Sequence, residues 1–146
     1  MARILSPAGY SGRPLPEKLG YKPGMATLFI ALPDELTGQA GSVEFAKIDT
    51  RERWSSVSGS VRFDAIHAFT KSRTEIEKNL VKLQKAIKRD GMIWVSWPKK
   101  ASKVATDVTE DVVRAEALSL DLVDIKVAAL DAVWSGLKLV IRKERR

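Results

Sequence analysis

Apolar and polar positions along this chain switch repeatedly between two periods. Met25–Leu32 runs apolar, the pattern of a strand covered on both faces. Pro33 ends it, and Asp34–Thr37 can begin a short helix. Ser42–Ile48 alternates and predicts a second strand, Asp49–Ser60 is polar and reads as a loop, and Val61–Phe69 is a third strand. Ser72 and Glu75 then form a capping box. Behind it Ile76, Leu80, Leu83 and Ile87 recur at helical spacing, while Lys78, Lys82, Lys85 and Arg89 line the opposite face. Asp90-Gly91 supplies the expected stop, glycine being the favoured left-handed cap.

The last third is the most telling. It predicts a strand over Met92–Trp97, a loop over Pro98–Asp107, a helix over Val108–Leu118 capped by Asp107 with Glu110, and strands over Leu122–Leu130 and Leu137–Arg142. Only Asp131–Gly136 joins the last two strands, and a parallel crossover needs a dozen or more residues. The final strand must therefore run antiparallel. Strands alternating with helices otherwise call for a parallel sheet with helices on both faces. The expectation is one α/β domain over residues 1–146: doubly wound, mostly parallel, with an antiparallel C-terminal strand. Residues 1–24 form a Gly/Pro-rich arm with a short helical turn around Leu15–Leu19, and the charged tail Lys143–Arg146 should fray.

Composition narrows the chemistry. At 146 residues the chain is long enough to bury a sizeable core. It has no cysteine, which removes disulfides, thiolate metal sites and cysteine nucleophiles. Its single histidine, His67, leaves a metal site only carboxylates to work with, so none is assigned. Met1–Tyr10 lacks the apolar run of a signal peptide, and no stretch reaches the length of a membrane span. The expected compartment is the cytoplasm. A net charge of +7 favours anionic partners; a basic, solvated surface that keeps the protein in solution is the simpler explanation.

Several blocks resemble a bacterial domain-of-unknown-function family of small proteins. They are Ala8–Gly24 (AGYSGRPLPEKLGYKPG), Trp94–Lys100 (WVSWPKK), Thr109–Arg114 (TEDVVR), Leu122–Asp124 and Asp131–Leu137 (DAVWSGL), in that order. The resemblance covers most of the chain. It implies a Rossmann-type fold like that of S-adenosylmethionine methyltransferases, and it implies no activity.

In open α/β sheets ligands sit outside the carboxyl ends of the strands. Trp97, Lys99, Lys100, Asp131, Trp134 and Ser135 should lie on that rim. Two lysines, two indoles and the helix N-terminus near Thr106–Thr109 would suit a flat anionic ligand. The alternative is that the indoles plug the sheet end and the lysines are solvated.

A cofactor meets a specific difficulty. Nucleotide-binding turns after the first strand need glycine, so that backbone can approach the ligand. Here that turn is Ala31–Leu36, with no glycine before Gly38 and two carboxylates, Asp34 and Glu35. Asp49 stands near the position of a ribose-binding acid. His67, within a strand under a helix, reads as a hydrogen-bonded core residue. No nucleophile elbow, phosphate loop or metalloprotease motif is present, and no catalytic residue or cofactor is assigned.

These observations lead to a non-catalytic domain that binds a small anionic ligand or a protein, on a methyltransferase-like fold with a degenerate cofactor loop. One alternative is a methyltransferase with an atypical cofactor site. Another is nucleic-acid binding through the Lys78/Lys82/Lys85/Arg89 face, which is not favoured because aromatics are absent from it. A membrane partner is not expected.

Overall fold

The computed structural model describes residues 14–39, 41, 43–59 and 61–146; most of the arm and Ser42, the start of the second predicted strand, lie outside them. The elements are α1 (Leu15–Leu19), β1 (Ala26–Ile30), β2 (Lys47–Arg51), β3 (Phe63–Phe69), α2 (Arg73–Ala86), β4 (Ile87–Pro98), α3 (Glu110–Leu118), β5 (Leu122–Ala129) and β6 (Trp134–Ile141). Short 3₁₀ turns cover Asp34–Gln39, Trp54–Ser56, Lys100–Ser102 and Lys143–Arg145.

One six-stranded sheet has the order β2-β1-β3-β4-β6-β5. β2, β1, β3 and β4 pair in parallel, and β6 is antiparallel to both β4 and β5. The antiparallel final strand expected from the short Asp131–Gly136 connection is present. It starts earlier than the hydrophobic pattern suggests, because Trp134 and Ser135 already pair with Pro98 and Trp97.

Connections that step the same way along the sheet share a face when crossovers keep one hand. The β3–β4 and β4–β5 connections step toward β5 and carry α2 and α3. The β2–β3 connection steps the same way and carries Trp54. All three pack on one face: Ile76, Leu80, Leu83, Val113, Ala117 and Trp54 join Leu28, Ile66, Val95 and Leu137 there. Each such aliphatic side chain contributes roughly 1.5–3 kcal/mol on burial. The β1–β2 connection steps the other way and brings Leu36 to the opposite face, beside Leu19 and Tyr21, over Phe29, Phe69, Trp94 and Trp134. The step direction thus reverses between β1 and β3.

Three local expectations are corrected. Ser72 does cap α2, accepting from the Glu75 backbone, but the Glu75 carboxylate takes the Thr70 hydroxyl at 2.5 Å instead of closing the box. α2 stops at Ala86, and the chain passes directly into β4 through extended Ile87. Gly91 is no cap: it lies buried in β4, where a Cβ would stand 3.1 Å from the Asp64 carbonyl and 3.0 Å from that of Lys88. The Lys88–Gly91 stretch is the extra chain between two pairings of β3, Phe63 with Ile87 and Ala65 with Met92. α3 is capped by Thr109, which accepts from the Val112 backbone, while Asp107 accepts from the Arg73 backbone and ties the two helix starts together.

His67 is fully buried, as its place in β3 suggested. Its Nδ1 lies 2.5 Å from the Tyr21 hydroxyl and its Nε2 lies 2.7 Å from that of Ser96. Phe69 stacks on its ring at 4.3 Å between centroids. Burial lowers the imidazole pKa to about 3 and pushes that of the Tyr21 phenol up. This chain of three polar groups crosses the core between β1's approach, β3 and β4, and it is satisfied at each ring nitrogen.

Candidate functional site

The reversal between β1 and β3 marks the topological switch point, where open α/β sheets bind ligands beyond the strand ends. Two cavities open there. The larger, about 910 Å³, is lined by Phe29, Ala31 and Leu32 from the end of β1, by Thr37, and by Thr50, Arg51, Glu52, Arg53 and Ser56 from the end of β2. The smaller, about 530 Å³, is lined by Ala31, Pro33, Glu35, Glu52, Glu75, Phe69, Thr70, Lys71, Ser72 and Trp134. Ala31 and Glu52 belong to both.

The backbone explains how this place is held. The Ala31 amide donates to the Arg51 carbonyl at 2.8 Å, so β1 and β2 stay paired to their ends. Ala31 itself has φ +56°, the left-handed region that glycine enters freely and alanine enters at a cost. The turn after β1 therefore adopts the conformation that a nucleotide-binding glycine would supply, on a residue that is not glycine. Trp54 is fully buried and its Nε1 donates to the Phe69 carbonyl at 2.9 Å. That bond fastens the segment carrying Glu52 and Arg53 to the end of β3. A tryptophan in an otherwise polar stretch was the signal that Asp49–Ser60 is more than a surface loop.

At the far wall, Trp134 Nε1 donates to Glu35 at 3.3 Å, and its ring meets that of Phe69 edge to face at 5.3 Å. Glu35, Glu52 and Glu75 face one lysine, Lys71, in the smaller cavity's lining. In a protein of net charge +7, this is a local excess of negative charge.

The six rim residues expected from sequence are distributed as follows. β4 ends at Pro98, and the Lys99 amide donates to the Val133 carbonyl at 2.7 Å, so the β4 exit does meet the β5–β6 turn. Trp134 reaches the smaller cavity. Trp97 packs on the α2/α3 face and Trp134 on the other, so the indoles lie on opposite sides of the sheet. Asp131 accepts from the Val133 and Trp134 backbones at 2.8 and 2.7 Å and is used to form the turn. Ser135 pairs with Trp97 and Ala129 inside the sheet. Lys99 is half-buried and Lys100 exposed, and neither lines the two cavities.

Asp49, the sequence candidate for a ribose-binding acid, sits within β2 and pairs with Lys47 at 3.7 Å. Glu52, the first residue beyond β2, is the carboxylate that lines both switch-point cavities. The described residues hold no group of three or more His, Asp or Glu side chains able to bind a metal, and none of their helices is long and apolar enough to cross a membrane.

The sequence matches no protein-family model and no curated protein, so the resemblance to a domain-of-unknown-function family has no family model behind it. Solved structures do match. A glycopeptide N-methyltransferase complexed with sinefungin aligns with TM-score 0.62 and 10% identity, over 87% of this chain and 90% of that one. An S-adenosylmethionine-dependent methyltransferase from Aquifex aeolicus aligns with TM-score 0.58 and 14% identity, over 86% and 87%. A TehB-like S-adenosylmethionine-dependent methyltransferase from Corynebacterium glutamicum aligns with TM-score 0.56 and 13% identity, over 88% and 85%. At such identities the likeness speaks for the fold. Strand order, the antiparallel β6 and these alignments together establish that the chain has the fold of the S-adenosylmethionine-dependent methyltransferases.

Proposed function

We propose that this chain binds S-adenosylmethionine across the switch point and acts as a methyltransferase with an atypical cofactor site. The observation that carries the reading is Glu52. It follows the strand beside β1, roughly twenty residues beyond the end of β1, which is the place of the ribose-binding acid in dinucleotide folds, and it lines both cavities.

The residues present fit the group. The larger cavity has the volume of an ordinary small-molecule site. Ala31 already holds the left-handed turn, so its backbone can approach a nucleoside. Glu52 would accept from ribose hydroxyls, and Phe29 and Leu32 would give the base apolar contacts. Glu35 and Glu75 suit the cationic end of the molecule, because opposite charge offsets the loss of hydration. Phe69 and Trp134 form an aromatic wall that would shed water around the reacting group. When bound, the cofactor supplies an electrophilic methyl group on sulfur; the chain's own contribution is to orient it and exclude solvent.

A non-catalytic binding domain draws support from one observation. Pro33 and the carboxylates of Asp34 and Glu35 occupy the turn in place of a glycine run, and among the described residues of this connection a 3₁₀ turn stands where a long crossover helix would. Such a domain would bind the nucleoside and turn nothing over.

Thermal unfolding with S-adenosylmethionine and with S-adenosylhomocysteine tests the proposal. A ligand bound only by the native state at 100 times Kd stabilises by about 2.7 kcal/mol, which raises Tm by several degrees for a chain of this size. Glu52→Gln should shrink the rise while leaving the unliganded Tm unchanged. No rise with either ligand would sink both readings of this site as a nucleoside site.

A further inference from the structure

Lys126 on β5 and Lys138 on β6 are direct cross-strand partners. Like charges in that relation destabilise a sheet, so the pair calls for an explanation. Both side chains reach toward the C-terminal turn of α1. Lys126 Nζ donates to the Lys18 carbonyl at 2.7 Å. Lys138 Nζ lies 3.2 Å from the point where a Cβ on Gly20 would stand. Gly20, at φ +82°, has no side chain there, so the Lys138 ammonium and the Met92 thioether occupy the place of its Cβ; Lys22, exposed, follows two residues later.

Two other partly buried cations are held by carboxylates: Arg114 by Glu110, Asp111 and Asp124, and Arg142 by Asp121 and Glu144. Lys138 is half-buried too, yet the charges acting on it are those of Lys126 and Lys22. Burial first, and these two charges after it, lower its pKa. A concentration of like charge at the edge of the solvent is relieved by an anion.

We propose that Lys22, Lys126 and Lys138 form a binding site for a phosphate group, separate from the switch-point cavities. Three ammonium groups offer more donors than a single carboxylate can accept from, and a phosphate group, with several acceptor oxygens, suits them better. None of the three lines either cavity, so the site is independent of the methyltransferase reading.

The test compares the thermal unfolding of the wild-type chain in sodium phosphate and in sodium chloride at equal ionic strength and pH. Phosphate at about five times Kd should raise Tm by roughly 2–4 °C over chloride. Lys138→Met keeps the apolar stem and removes the charge. In chloride it should unfold at or above the wild-type temperature, because the like-charge pair is gone, and it should lose the phosphate-specific rise. Lys22→Met, at an exposed position, should reduce the rise without disturbing the fold. A short single-stranded oligonucleotide, followed by fluorescence anisotropy, separates the sources of the group. Binding that Lys138→Met abolishes assigns it to a phosphodiester backbone; a phosphate shift without oligonucleotide binding assigns it to a small phosphorylated ligand. Equal Tm values in phosphate and chloride for the wild type, or a rise that survives in Lys138→Met, would overturn the proposal.

Discussion

Gly136→Ala should be among the most damaging small substitutions in this chain. Gly136 lies in β6 opposite Ser96 of β4. A Cβ there would stand 2.6 Å from Ser96 Oγ, 3.1 Å from Trp94 Cε3 and 3.3 Å from Leu130 Cδ1. The first contact is far inside van der Waals distance, and Ser96 Oγ cannot retreat freely because it holds His67 Nε2 at 2.7 Å. Overpacking costs typically 1–3 kcal/mol. Displacing the hydroxyl leaves a buried ring nitrogen unpaired, for about another 1–3 kcal/mol. The reduced freedom of the unfolded chain returns about 0.4–1 kcal/mol. The net loss is then roughly 1–5.6 kcal/mol, a fall in Tm of some 2–22 °C at about 2–4 °C per kcal/mol. Urea unfolding measures it directly as a shift in midpoint at constant slope. The mechanism makes a second demand. Ser96→Ala removes the atom that clashes, so the double variant Gly136→Ala/Ser96→Ala should be at least about 1 kcal/mol more stable than the two single losses predict. A Gly136→Ala protein within about 0.5 kcal/mol of wild type, or strict additivity in the double variant, would refute the reasoning.

Other consequences can be checked alongside. His67 is held neutral in the folded state down to about pH 3, whereas an exposed imidazole titrates near 6.5. Below about pH 6.5 the unfolded chain therefore binds a proton that the folded one refuses. Stability should be fully present above that pH and fall by up to about 1.4 kcal/mol per unit toward pH 3; identical urea midpoints at pH 7 and pH 5 would contradict this. Trp54→Phe removes the donor to the Phe69 carbonyl and should cost about 1–3 kcal/mol, with a weaker hold on the Glu52 segment visible as faster amide exchange there. Ala31→Gly relieves the positive φ and should leave stability level or raise it by up to about 1 kcal/mol, while Ala31→Val should lose about 1–3 kcal/mol; chemical denaturation decides both.

The fold was legible where burial is strong. β1, β3, β4 and α2 carry long apolar runs or stripes, and the short Asp131–Gly136 connection dictated the direction of the last strand. β2 was placed too early because it is an edge strand: four of its five residues are exposed, so its pattern carries little of the core's imprint. That error moved the strand end and pointed to Asp49, when the carboxylate beyond the true end at Arg51 is Glu52. Asp90-Gly91 has the chemistry of a helix stop, yet Gly91 is needed for close approach to the Asp64 and Lys88 carbonyls; sequence alone does not distinguish the two uses of glycine. Which face each rim side chain occupies depends on register, which the sequence does not display. Ser135 pairs with Trp97 and Trp134 with Pro98, and that pairing sends the two indoles to opposite sides. Glu35 and Trp134, ninety-nine positions apart in sequence, meet only because the Asp34–Gln39 turn folds back over the switch point.

The nucleoside site proposed at the switch point rests on Glu52 and Ala31. Calorimetric titration of S-adenosylhomocysteine into the wild-type chain and into Glu52→Ala decides whether it exists. One site per chain is expected, with binding to Glu52→Ala at least tenfold weaker, about 1.4 kcal/mol for the lost charged hydrogen bonds. Saturable binding of equal strength in both proteins would place the ligand elsewhere, and no heat with the wild type would remove the site altogether.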